Sequence, residues 1–337
     1  MRFIVYGAGA VGGVVGGRMF QHGHDVVLVA RGEHRRAIAT NGLTVEWPEG
    51  SATLPVPVVG HPSELSFGQG DVVIVAVKSQ DTAGVLDALA GVAPPSTPIL
   101  CLQNGVANEV AALRRFANVH GVTVMAPTWH LEPGVVQAYT PNATAMLDVG
   151  RWPHGVDAVT EVVAAAFVAS GFESIARPDI SRWKYTKLLL NLGNPVDALC
   201  SRDAAAAQLV TRARDEGADV LAAAGIDHVS EEEDTARRGD VLRIVPIDQR
   251  RRPGGSTWQS LARGASVEVD YLNGEIVLLG RLHDVPTPVN ELLQHATHRA
   301  LAEGRAPGTQ SAAELLAELD SRFRVFRAQK SGHETLG

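Results

Sequence analysis

Lys187, Asn191 and Asn194 interrupt the leucine-rich stretch KYTKLLLNLGNP (184–195) at steps of four and three. At about 100° per residue, a helix gathers those three side chains within roughly 60° of its circumference. One amine and two amides on so narrow a stripe could supply an acid together with directed hydrogen bonds. A solvated helix face is the bland alternative, but Glu, Lys, Gln and Arg form such faces better than asparagine does. Lysine is also scarce here. Lys78, Lys184, Lys187 and Lys330 stand against 26 arginines. Arginine cannot release its proton near neutral pH, whereas a lysine can be tuned to do so.

A second constellation lies at the start of the chain. Gly7, Ala8, Gly9, Ala10, Val11 and Gly12 read G-x-G-x-x-G immediately after a strand and at the opening of a helix. The first glycine permits a tight turn, the second lets the backbone approach a pyrophosphate, and the third allows close helix–strand packing. The free N–H groups of the helix start then face the anion, so the pattern points to a dinucleotide. The second strand ends in Ala30 and Arg31, with Arg35 and Arg36 close behind. A guanidinium suits a ribose 2′-phosphate, which favours NADPH/NADP+ over NAD. Glu33 is the competing group, since a carboxylate there could serve a bare 2′-hydroxyl. Lys78 in VKSQDT and Asn104 in QNGV follow later strands. By position alone, Lys78 either caps a loop or borders the cofactor, and Asn104-Gly105 either makes a turn or does the same.

The elements that must position these groups fall into two series. Apolar runs at 2–6, 25–30, 71–77, 98–103 and 120–126 read as buried strands, with helical stretches between several of them, as at 83–90 and 108–116. Such alternation predicts a parallel sheet covered on both faces, with an antiparallel extension near 135–150. From about residue 179, beyond the Pro178 linker, long helical periods take over at 181–192, 204–224, 267–282 and 289–302. Pro195 should kink or end the first of them. RRRPGGSTW (250–258) is the most loop-like piece of this half. The fold class is therefore α/β: an N-terminal Rossmann-type doubly wound sheet at 1–178, a C-terminal all-helical domain at 179–325, and a frayed tail at 326–337.

Composition narrows the partners. The 337 residues carry a formal net charge of -7 without a basic run, which argues against nucleic acid and anionic membrane. Two cysteines make no disulfide framework, and Cys101 reads as a small buried hydrophobe. The histidines lack metal-ligand spacing, so no metal is expected. The first residues lack a leader's charged start and apolar core, and the apolar runs are too short to span a bilayer. A cytoplasmic protein is the expectation, with a homodimer open through apolar faces of the helical half.

Taken together, GAGAVG, Arg31, VAVKSQ, LQNGV, the K-x-x-x-N helix and GGSTWQSLARGASVEVDYLNG resemble the ketopantoate reductase family, from residue 7 to about residue 274 and in the expected order. The resemblance implies NADPH-dependent reduction of a 2-oxo acid, most simply 2-dehydropantoate to pantoate, in a groove between a Rossmann domain and a helical one. By position it makes Lys187 the proton donor to the ketone oxygen. It makes Asn191, Asn194 and Ser256 substrate-binding groups and has Glu268 bridge cofactor and substrate. It puts Asn104 on the nicotinamide side and Lys78 near the reacting centre. Without it, Ser256 reads equally as a helix N-cap and Glu268 as an exposed helical acid. Burial of the Lys187 amine and the Glu268 carboxylate would pull its pKa in opposite directions, so a modest shift is expected. Two departures fall in the substrate half. Asn194 follows Lys187 by seven residues where many members have eight, and Ser260 stands where many carry Asp. No mechanism requires Trp129 or His130. The rivals are a reductase or dehydrogenase of another keto acid, hydroxy acid or imine, and a non-catalytic NADP-binding sensor.

Overall fold

Runs of valine and isoleucine become strands because branched side chains pack well on a buried pleated surface. The computed structural model describes residues 1–321, so the expected tail lies outside the described residues. The chain opens with β1 (Arg2–Tyr6), α1 (Ala10–Gln21), β2 (Asp25–Val29) and α2 (Gly32–Asn41). An antiparallel pair follows, β3 (Leu43–Trp47) and β4 (Gly50–Leu54). Next come β5 (Val58–Val59), β6 (Asp71–Val75), α3 (Thr82–Ala90), β7 (Ile99–Cys101), α4 (Ala107–Leu113) and β8 (Val119–Met125). β9 (Thr128–Trp129), β10 (Val135–Ala138), β11 (Met146–Arg151) and α5 (Ala158–Ala169) complete the α/β part.

The main sheet runs β11-β8-β7-β6-β1-β2-β5, parallel throughout except for β11 against β8. The chain builds outward from β1 to β2 and β5, then crosses back to β6 on the other side of β1. Strand order therefore reverses between β1 and β6, the point where doubly wound sheets bind ligands beyond their carboxyl ends. On one face Phe3, Val5, Leu28, Ile74 and Leu147 share a core with Val14, Val15 and Phe167 of α1 and α5. Alternate residues such as Ile4, Val73 and Ile99 point to the opposite face and are equally buried.

A second sheet, β4-β3-β10-β9, has no counterpart in the sequence reading. The antiparallel extension expected at 135–150 is divided between the two sheets. β11 pairs antiparallel with β8, whereas β10 runs parallel to β3 and antiparallel to β9. Helix α1 lies between the sheets, and its paired glycines allow it. A Cβ on Gly16 would come within 2.7 Å of Leu28 in the main sheet. One on Gly13 or Gly17 would come within 2.7 Å of Val136 or Val45 in the second. The GGVVGG spacing thins two sides of one helix.

Four helices follow: α6 (Ile180–Asn191), α7 (Asn194–Leu199), α8 (Ala204–Ala223) and α9 (Glu231–Arg238). After them come α10 (Ser256–Ala262), α11 (Asn273–Leu282), α12 (Pro288–Ala302) and a helix over 312–321. The chain divides into two compact units, Met1–Lys187 with His228–Arg252, and Leu188–Asp227 with the residues from Pro253 onward. The sequence reading puts its boundary at 178/179; these units part inside α6.

Within the first unit, the returning segment is tied down by Asp148 of β11, whose side chain is 2% exposed. Arg237 of α9 donates to both its oxygens at 2.6 and 3.0 Å, and Arg177 donates a third bond at 3.0 Å. The Val245 N–H adds a main-chain bond to Tyr139.

In the second unit, Gly217 of α8 makes room for Leu189, Leu192 and Ile276. Asn273 donates to the Leu192 carbonyl at 3.0 Å and to Asn290 at 2.9 Å. Glu216 accepts from the Val289 and Asn290 N–H groups at the start of α12. Two expectations change here. The helix expected over 267–282 is a 3-10 turn, Val269–Tyr271, followed by α11, because Leu272 leaves helical geometry at φ -117°, ψ -89°. The lysine–asparagine stripe is also split. α6 ends at Asn191, Gly193 packs against Val210 of α8, and Asn194 opens α7 with Pro195 in its first turn, where a missing N–H costs nothing.

Candidate active site

The glycine turn is shaped for a close-lying anion. Gly7 has φ +107°, in the left-handed region that disfavours a side chain, and a Cβ there would lie 2.7 Å from the Val77 nitrogen. A Cβ on Gly12 would sit 2.1 Å from the Gly7 carbonyl oxygen, so strand and helix could not approach as they do. Around Gly9 a Cβ would meet no atom within 4 Å, which leaves the outer side of the turn open. Gly9 caps α1 without a side-chain bond, and the first turn holds no acid. These N–H groups and the positive end of the helix dipole fit a pyrophosphate.

Arg31 is exposed at the N-cap of α2, and its charge reaches the buried end of β1. Burial raises the Tyr6 hydroxyl pKa, and the Arg31 cation works against that rise. Glu33, the competing carboxylate, accepts a 3.1 Å bond from Arg36. Arg35 lies 3.6 Å from Glu64.

The loops that follow β6 and β7 are cross-tied by a buried polar network. Gln103 donates to the Val77 carbonyl and to the Thr82 hydroxyl, both at 2.8 Å. Thr82 in turn donates to Asn108 at 2.8 Å. Asn108 donates to Ser79 at 3.1 Å and to the Asn104 carbonyl at 3.0 Å. Lys78, half-buried before a 3-10 turn at Ser79–Asp81, and Asn104 thus ride on one braced frame. Lys184 of α6 joins that frame. Its ammonium donates to the Gln103 carbonyl at 2.9 Å and to the Glu109 carboxylate, with side chains 3% and 0% exposed. Burial pushes the Glu109 carboxyl pKa up, and Lys184 pulls it back.

One turn further along α6 comes Lys187, half-buried, and one turn beyond it Asn191, 5% exposed. In the second unit α7 packs beside α10, and Asp197 of α7 accepts the Gly255 N–H at 3.2 Å. That bond ties α7 to the residue before Ser256, and Asn194 and Ser256 are the first residues of these neighbouring helices. Ser256 is the first residue of α10, whose N-cap is Gly255 with no side-chain bond, so the N-cap reading of Ser256 fails. Ser260, buried at 2% exposure, donates to the Ser256 carbonyl at 3.0 Å. Glu268 is half-buried and directly precedes the 3-10 turn, so it is not an exposed helical acid.

The first unit thus gathers Gly7, Gly9, Gly12, Arg31, Lys78 and Asn104 around the carboxyl ends of β1, β2, β6 and β7. Sequence reasoning missed Glu109 and the role of Lys184, because partners 75 residues apart leave no local spacing. It also missed His34, which bonds the Ala8 carbonyl at 2.6 Å. His130, left without a role, packs against His34 with ring centroids 4.3 Å apart and ring planes inclined by 52°. A cavity of about 510 Å³ beside Ile38, Asn41, Thr53 and Val58 contains none of the expected site residues. Among the described residues no helix is long and apolar enough to cross a membrane.

Comparison with known proteins converges on one family. The pattern described as ketopantoate reductase PanE/ApbA matches residues 3–151, and that of the family's C-terminal domain matches residues 179–300. A 2-dehydropantoate 2-reductase from Halobacterium salinarum is 32% identical over 317 residues, 90% of this chain and 100% of the relative. One from Pyrococcus horikoshii is 28% identical over 303 residues, 87% of this chain and 95% of the relative. The crystal structure of a PanE/ApbA family ketopantoate reductase from Ralstonia eutropha JMP134 matches with a TM-score of 0.76 at 27% identity, covering 90% of this chain and 99% of that one. Matched in both its halves, this chain belongs to the ketopantoate reductase family.

Proposed function

We propose that the chain reduces a 2-oxo acid with NADPH, converting 2-dehydropantoate to pantoate. The observation that carries this reading is the match of both halves to one family, along the full length of a relative named for that reaction. It is an oxidoreductase acting on a ketone–alcohol pair with a nicotinamide cofactor.

Bound NADPH supplies a hydride to the carbonyl carbon. Residues 7–12 and the start of α1 hold its pyrophosphate. Arg31 binds the 2′-phosphate, with Glu33 engaged by Arg36. Lys78 and Asn104 border the nicotinamide. Lys187 gives a proton to the ketone oxygen and recovers one from water, so the ketone gains one hydride and one proton. An ammonium is suited to this because it polarises the carbonyl before it donates. Asn191, Asn194 and Ser256 hold the carboxylate and hydroxyl of the substrate, and Glu268 spans substrate and cofactor. The enzyme acts in the cytoplasm, and exposed Leu278 and Leu282 of α11 offer a second copy a surface to cover.

Loss of NADPH absorbance against a panel of 2-oxo acids tests the reading. Turnover of 2-dehydropantoate with preference for NADPH over NADH is the expected result. Turnover confined to other carbonyls or imines would reassign the substrate. Dinucleotide binding without any turnover would leave a sensor.

A further inference from the structure

We propose that His34 is a positioning residue for the cofactor, fixing the Ala8–Gly9 peptide so that the Gly9 N–H is aimed at the pyrophosphate; this rests on the dinucleotide reading above. The imidazole bridges two main-chain groups. Its Nε2 donates to the Ala8 carbonyl at 2.6 Å, and its Nδ1 accepts the Gly134 N–H at 2.9 Å. A carbonyl can only accept and an N–H can only donate, so the two bonds together require the neutral ring with its proton on Nε2.

In a trans peptide the carbonyl of one residue and the N–H of the next point in opposite directions. Drawing the Ala8 oxygen toward His34 therefore turns the Gly9 N–H away from it. A Cβ on Gly9 would meet nothing within 4 Å, so that side of the turn is open to a ligand. His34 also lies three residues after Arg31 on α2, so one ring locks the pyrophosphate turn to the helix that starts with the 2′-phosphate arginine.

Protonation breaks this arrangement. A second ring N–H at Nδ1 would face the Gly134 N–H, and the bridge would lose one of its two bonds. Burial holds the His34 pKa below its ordinary value, which keeps the bridge closed at neutral pH. The glycine turn brings no titratable group to the ring. The segment before Gly134 carries exposed Glu132 and His130, whose ring lies tilted against His34 and whose Nδ1 donates to the Val135 carbonyl at 2.9 Å. On α2 itself Glu33 pairs with Arg36, Arg35 pairs with Glu64, and Arg31 is exposed.

The experiment measures NADPH dissociation constants on the full-length protein from about pH 8 to about pH 5.5, a span that covers histidine titration. It compares the wild type with His34→Gln and His34→Ala. Glutamine can donate and accept at once but does not titrate. At the upper pH, His34→Ala should bind about tenfold more weakly, as expected for lost main-chain bonds, with kcat at saturating cofactor near that of the wild type. His34→Gln should stay within roughly threefold of the wild type and lose the His34 part of the pH dependence. What it retains comes from other groups, the 2′-phosphate among them. The proposal is overturned if His34→Ala binds as tightly as the wild type, or if the wild-type and His34→Gln profiles coincide. Should the alanine variant fail to fold, that second comparison decides. A wild-type protein that binds neither NADPH nor NADH would instead sink the cofactor reading itself.

Discussion

The glycine turn and the lysine helix are held in place by different means. Residues 7–12 present main-chain N–H groups, and what fixes them is steric and local: three glycines whose Cβ atoms would strike Val77, meet open space, or strike Gly7. Helix α6 presents side chains, and what fixes them is remote. Lys184 ties the helix to Glu109 and Gln103, and Asn273 supports the carbonyl at Leu192 from 81 residues away. A backbone site is written in a few adjacent residues, whereas a side-chain site depends on partners that only the fold brings together.

Lys187→Ala gives the sharpest break in this comparison. If Lys187 is the acid, kcat should fall by roughly 10²–10⁴ while the NADPH dissociation constant stays near its wild-type value. Steady-state kinetics alongside direct binding separates the two regions. An equal loss in both would mean that the lysine serves the fold.

Lys184→Met, one turn earlier, should do the reverse. Removing one partner of a buried pair leaves the other uncompensated and costs about 3–5 kcal/mol. The urea midpoint should therefore drop sharply. Adding Glu109→Leu removes the orphaned carboxylate and should recover most of that loss. If the double variant is no more stable than the single one, the ion pair is not what anchors α6 to the strand-end loops.

Gly9→Ala probes the turn without touching the fold. Gly9 has φ -70° and ψ -157°, which alanine adopts readily, and its Cβ would meet no protein atom. Stability should change by less than about 1 kcal/mol. NADPH binding should weaken by about 1.5–3 kcal/mol, the worth of hydrogen bonds to a charged group. A thermal melt and a binding isotherm on the same sample check both halves of that expectation.

These expectations follow what the residues reveal. β1, β2, β6, β7 and β8 were legible because continuous apolar runs are the mark of strands buried on both faces. The second sheet was not, since its strands are two to five residues long, partly exposed, and paired between segments 91 residues apart, as in Val135 with Thr44. The return of 228–252 to the first unit hangs on Arg237 meeting Asp148, a non-local event. Pro195 marked a break after α6 but not its place, because a proline fits the first turn of the next helix, where it stands in α7. Within the candidate site, residues 7–12 and the pair Lys187 and Asn191 announce themselves by spacing. Ser256 and Glu268 emerge only through the family resemblance, and His34 through neither.

Arg31→Ala should have the smallest effect, and the reason is in its surroundings. The side chain is exposed, so its attraction to a phosphate is screened by water and salt. Arg35 and Arg36 lie within the next turn and a half, each shared with a glutamate, and either can turn toward an added negative charge. NADPH affinity should thus fall by about 1 kcal/mol, roughly fivefold, with NADH affinity unchanged. The wild-type preference for NADPH should also narrow as salt rises, while the Arg31→Ala preference responds less. A variant that loses affinity for both dinucleotides alike would place Arg31 against a part they share, and the 2′-phosphate would need another partner.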